Sequence, residues 1–208
     1  MQRPWNLRQA SGIILTIGTA QYIFFMFTTQ AFTPDYSMVT DDISSLGNGP
    51  AGLLYNISTF LAGLAILGCG IFVFLDGIRD GKRMGLLLGV LMSILGTAVG
   101  LGGIFPEGTP THLQVGVVSF LLSGVCAITS AALQKTWWAA FSILMGVISL
   151  SMAVLTQLPG NTVSLPIADG IKERIALYPI FLWALVFGLQ RTLSKHSHVS
   201  KKNASDYL

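Results

Sequence analysis

Six stretches of this chain carry no charged side chain: residues 9–34, 50–75, 84–106, 108–134, 136–168 and 175–190. A helix buried in a soluble domain rarely needs that much uncharged length. A helix crossing a hydrocarbon layer ~30 Å thick needs ~20 such residues in a row. Only 10% of the 208 residues are charged, against about 25% in ordinary soluble domains. Lipid offers no hydrogen-bond partners, so the backbone must satisfy itself, which continuous helices do. The residue alternation of a membrane-spanning barrel is absent from these runs. The chain is therefore expected to be all-α, a polytopic transmembrane bundle of six helices with spans at about 11–32, 51–75, 84–105, 113–133, 137–158 and 171–190. The second is long enough to predict a tilt or an interfacial first turn. Pro34, Pro50 and Pro106 fall at span edges, where a missing amide does least harm. Pro179 lies inside the last span and predicts a loosened turn near Ile175. The first run reads as a span rather than a leader, being long for a signal core and lacking a clear small-residue cleavage box. Residues 191–208 read as a polar tail.

Orientation follows from lysine and arginine. With six spans, Arg3, Arg8, Arg79, Lys82, Arg83, Lys135, Arg191, Lys195, Lys201 and Lys202 share one side, and only Lys172 and Arg174 lie opposite. The positive-inside tendency places both termini in the cytoplasm of a multi-pass cell-membrane protein. The net charge of +3 is this same loop asymmetry, so nucleic acid is not an expected partner. Cys69 and Cys126 sit within apolar runs and read as small buried hydrophobes. The 23 glycines include the pairs Gly85/Gly89 and Gly96/Gly100, whose four-residue spacing lets helices approach closely. They are expected to shape the bundle, and a homo-oligomer through glycine-rich faces is an open alternative.

Three polar clusters fall on the less basic side. The first, residues 36–47, holds Tyr36, Asp41, Asp42, Ser44 and Ser45, with Asp42 or Ser44 placed to cap a short helix before Gly47. The second, residues 103–112, combines Pro106, Glu107, Pro110 and His112; Ser119 and Ser123 follow on roughly the same helical face. The third opens the last span with Asp169, Lys172, Glu173 and Arg174, then Tyr178, Pro179 and Trp183. Arg174 is a candidate partner for Asp41, Asp42 or Glu107, whereas Arg191, at the far exit of the span, calls for no partner. Polar groups gathered at one membrane face point to a functional site.

At these clusters the chain resembles a prokaryotic membrane-protein family of unknown function, DUF998. The matching pieces are Tyr36-Ser37 with Asp42-Ile43-Ser44-Ser45-Leu46-Gly47, Gly103-Ile104-Phe105-Pro106-Glu107 with His112, and Glu173-Arg174 with Tyr178-Pro179 and Trp183. The resemblance implies a six- or seven-span helical protein over nearly the whole chain and carries no assigned activity. Where such families often have Asp after the Phe-Pro pair, this chain has Glu107. A more distant likeness, to membrane hydrolases using Ser, Asp and His, lacks their fuller histidine set here.

The residues support a pocket for a membrane lipid or a small polar or anionic ligand. In that reading Arg174, with Glu173 and Asp41 beside it, engages an anionic group of the ligand, Asp42, Glu107 and His112 order the site, and Tyr36, Phe105, Tyr178 and Trp183 line its apolar part. The alternative is a lipid hydrolase or transferase with His112 as acid or base, Asp42 and Glu107 as its carboxylate partners, and Ser44 or Ser45 as nucleophile. A small-solute transporter and a structural subunit are further readings. No nucleophile elbow, phosphate-cradling loop or nucleotide motif is present. A zinc site would ask for several histidines, and His112 alone is well placed, so neither metal nor cofactor is expected.

Overall fold

The computed structural model describes residues 6–156 and 166–194. Six helices carry nearly all of them: α1 (Leu7–Ala31), α2 (Gly52–Asp80), α3 (Arg83–Ile104), α4 (Pro110–Ser130), α5 (Thr136–Thr156) and α6 (Asp169–Leu193). All six are long and apolar enough to cross a membrane. Each packs against its neighbours in the chain, and α6 closes the ring against α1. Large apolar side chains face outward on every helix, Ile17, Leu53, Val90, Val118, Leu144 and Leu182 among them, while Ser11, Thr29, Ser58, Ser130 and Ser149 are buried between helices. Water would not tolerate so continuous an apolar surface; lipid requires it. The chain is a polytopic membrane protein. The end of the fifth expected span (157–158), Arg3, and the tail from Lys195 onward lie outside the described residues.

The helices outrun the uncharged stretches where a cap or partner permits it. α2 continues through Asp76 and Arg79 until Gly81, whose φ of 66° supplies the left-handed stop, a conformation glycine adopts without steric cost. α4 starts earlier than expected because Pro110 occupies its first turn and the Thr109 hydroxyl accepts the His112 amide at 3.2 Å.

Glycine sets the tightest packing. Gly63, Gly70 and Gly77 recur every seven residues along α2 and meet, in turn, the backbone at Gly100, Ser93 and Leu86 of α3; a Cβ at Gly70 would lie 2.7 Å from the Ser93 amide nitrogen and one at Gly77 2.8 Å from that of Leu86. Gly85, Gly89 and Gly96 face back onto Gly77, Phe74 and Leu67. The glycine faces that offered a surface for self-association thus pack within the chain. Gly124 and Gly146 make a similar approach between α4 and α5.

Arg191 departs from expectation. It lies within α6, is 6% exposed, and donates to Ser11 Oγ at 2.6 Å and Asp76 Oδ2 at 3.1 Å. Arg8 approaches the same Asp76 oxygen at 3.5 Å. The cause is the closure of α6 on α1, which buries the last turns of α6 and makes a partner obligatory for a charged group.

Candidate functional site

At the end of the bundle where α1 meets α2, residues 32–51 fold back over the helices and include a short 3-10 turn at Ser44–Asn48. The segment is held first by its own polar groups. Asp41 accepts the Ser37 amide and the Thr40 hydroxyl, both at 2.9 Å; these bonds hold its carboxyl below the usual carboxylate range. Ser45 Oγ donates to the Asp42 carbonyl at 2.7 Å, and the Tyr36 hydroxyl donates to it at 3.1 Å. Ile43 and Leu46 drop into the core beside Met26, Tyr22 and Tyr55.

α6 then fastens the segment from across the molecule. Arg174 donates to the carbonyls of Asp41 (2.9 Å) and Gly170 (2.8 Å) and to the Tyr36 hydroxyl (2.6 Å). Its guanidinium also lies over the Tyr36 ring, 5.7 Å from the centroid. Glu173 accepts the Ile43 amide. That amide opens the 3-10 turn, which has no side-chain cap of its own, so the capping role expected of Asp42 or Ser44 is filled by a carboxylate from a distant helix. Close approach demands glycine here as well: a Cβ on Gly170 would stand 2.9 Å from the Val39 carbonyl.

Under this roof lies a chamber of about 530 Å³ lined by Asp42 and Ser44 of the loop, Glu107 of the α3–α4 turn, His112 and Gly116 of α4, and Glu173 of α6. It meets a second, narrower cavity of about 160 Å³ between the helices, because Ser44, His112, Gly116, Phe120 and Glu173 border both. The inner cavity is apolar, lined by Met92, Leu95, Leu177, Ile180 and Trp183, with Tyr22 and Tyr55 near its top. From Glu173 to Ala184, its extremes on α6, is about 16 Å at the rise of an α-helix, roughly half the hydrocarbon thickness.

The electrostatics of the outer chamber are acidic. Burial, and then the proximity of Asp169, raises the Asp42 carboxyl above its ordinary pKa. Burial, and then Asp42, does the same for Glu107. Burial also raises the Tyr36 phenol, with Arg174 opposing. His112 Nδ1 lies 2.8 Å from the Phe105 carbonyl. A carbonyl only accepts, so Nδ1 carries a hydrogen, and in a neutral imidazole Nε2 is then the acceptor.

Residues 16–190 match the model of a family described as "Protein of unknown function (DUF998)". The chain belongs to this family. No curated protein and no solved structure matches it. The matched region takes in all three polar clusters, and in this DUF998 protein they sort into two sets. Asp42, Ser44, Glu107, His112 and Glu173 face the chamber, with Trp183 deep in the inner cavity. Tyr36, Asp41, Ser45 and Arg174 hold the roof instead. Arg174 meets Asp41 through its backbone carbonyl, not through an ion pair. Tyr178 lines neither cavity; its ring packs against Phe181, centroids 6.0 Å apart, and its buried hydroxyl has no hydrogen-bond partner among the described residues. Ser44 and His112 border one chamber without a hydrogen bond between them among the described residues. Trp183 donates to Ser130 Oγ at 3.0 Å and stacks on Phe187, and Ser119 and Ser123 line the inner cavity on the face expected of them.

Sequence reasoning passed over Tyr22, Tyr55 and Gly116. The two tyrosine hydroxyls bond each other at 3.0 Å, a pairing no local pattern announces because it joins different spans. Gly116 borders both cavities, and a Cβ there would meet nothing within 4 Å. That open space is the throat between them.

Proposed function

We propose that this protein binds a membrane amphiphile, holding its polar head in the chamber beneath residues 36–49 and its apolar portion in the cavity between the helices. The observation that carries the reading is the continuity of the two: a polar chamber passes into an apolar one through Ser44, His112, Gly116, Phe120 and Glu173. Sites for small ligands combine an apolar wall with a few convergent polar groups, and here the carboxylates and the histidine lie at one end only, as the charge does in an amphiphile. The asymmetry of the basic residues supports an orientation with both termini in the cytoplasm, in which the chamber opens at the outer face.

The test is native mass spectrometry of the full chain after gentle detergent extraction, comparing wild type with Gly116→Trp. The indole would grow into the open throat and leave the helix contacts of α4 intact. Wild type is expected to carry an adduct of lipid mass that the variant loses. A wild-type protein free of lipid, or an adduct undiminished by the tryptophan, overturns the proposal.

A further inference from the structure

We propose, resting on the amphiphile-binding reading, that the bound head is cationic, an ammonium-bearing amphiphile received by the carboxylates of Asp42, Glu107 and Glu173. These side chains come from the roof, the α3–α4 turn and α6, yet all border one chamber, and no lysine or arginine lines it among the described residues.

Glu173 is the decisive member. It is 6% exposed, it borders both cavities, and the hydrogen bond it receives among the described residues is that of the Ile43 amide. The other carboxylate oxygen has no hydrogen-bond partner among the described residues, and the side chain borders the chamber. A buried carboxylate is costly unless paired and fully hydrogen-bonded. The natural partner would be Arg174, the next residue, but helical geometry turns its guanidinium toward Asp41, Gly170 and Tyr36. Lys172 is likewise taken by Asp169 at 2.7 Å. Arg174 is therefore committed to the roof and Lys172 to Asp169, while Asp42, Glu107 and Glu173 border the chamber. An anionic head, the ligand that Arg174 alone suggested, would meet three carboxylates and no uncommitted cation. An ammonium relieves their mutual repulsion and gives the unpartnered Glu173 oxygen a charge-assisted bond. Ser44 and His112 Nε2 remain for hydroxyl or amide groups beside it, and the apolar cavity below takes the chain.

The experiment uses the full-length protein in nanodiscs of phosphatidylglycerol, incubated with dodecylamine, dodecanol, dodecyl phosphate or propylamine, with retained ligand counted by native mass spectrometry. Wild type and Glu173→Gln are compared in the same discs, which cancels bulk partitioning. Glutamine still offers an oxygen to the Ile43 amide, so the roof stays in place; Glu107→Gln, whose side chain makes no hydrogen bond among the described residues, is the second variant. Dodecylamine is expected to be retained about tenfold more tightly than dodecanol, dodecyl phosphate not at all, and each variant to lose the preference for amine without losing dodecanol. Equal retention of dodecylamine and dodecanol, or a preference surviving both substitutions, overturns the cationic head and leaves amphiphile binding standing. Retention of none of the twelve-carbon probes overturns the binding itself. Displacement of dodecylamine by equimolar propylamine supports the charge but assigns the site to a soluble amine, overturning a lipid source.

Discussion

Replacing Arg174 with methionine keeps the length and apolar stem of the side chain and removes its donors. Three bonds are lost, to the Asp41 and Gly170 carbonyls and the Tyr36 hydroxyl, each worth about 1.5–3 kcal/mol when one partner is charged. The substitution also removes the cost of burying a guanidinium, which offsets a large share of that sum. The net local loss is about 3 kcal/mol, roughly two powers of ten in the equilibrium for lifting the roof. Hydrogen–deuterium exchange reads this directly. Amides of residues 36–49, Ile43 foremost because Glu173 alone holds it, should exchange about a hundredfold faster in Arg174→Met, while α2 and α3 keep their protection. Arg174→Lys retains charge but not the fork and should fall between. Unchanged exchange across residues 36–49 in the methionine variant would refute the assignment of Arg174 to the roof and restore it as a candidate ligand group.

Further outcomes concern packing and pH. Gly63→Val places a side chain against the backbone at Gly100 and should destabilise the bundle by about 1–3 kcal/mol or more, whereas Gly116→Ala, with open space around it, should leave thermal stability unchanged or raised; equal effects would contradict the packing described. Asp42 and Glu107 have raised pKa values, so the folded state holds their protons more tightly than the unfolded chain does. Their contribution to stability is full below the ordinary carboxylate range and is lost as pH rises through the raised values. The double variant Asp42→Asn/Glu107→Gln should therefore flatten the fall in melting temperature across that window, and an unchanged slope would show that the two carboxyls are not confined as described.

The spans were legible because lipid imposes one dominant rule, and charge-free runs obey it; the helices fall within a few residues of expectation except where a cap or buried partner extends them. The Gly81 stop and the Thr109 cap are local signals that mark the true ends of α2 and α4. The polar clusters were legible as a set, since Asp42, Ser44, Glu107, His112 and Glu173 do converge. Their division of labour was not. Whether Arg174 or Glu173 faces the chamber depends on which side of α6 meets residues 36–43, and no periodicity within α6 encodes that meeting. Arg191 was misjudged for a related reason: its burial comes from contact with α1, at the opposite end of the sequence. Tyr22 and Tyr55 sit in separate apolar runs, and only the closed ring brings their hydroxyls together.

The register of α2 against α3 has a mechanical corollary. With backbone pressed on backbone at Gly63, Gly70 and Gly77, that hairpin has no slack, and it acts as the fixed jaw of the molecule. α4 is the compliant jaw, for Gly116 leaves empty room at the throat and α4 meets α6 far less extensively than it meets α5. Any widening that admits a bulkier guest must therefore come from a swing of α4 together with α5, and the range of guests admitted is governed by how far that pair can yield into the surrounding lipid.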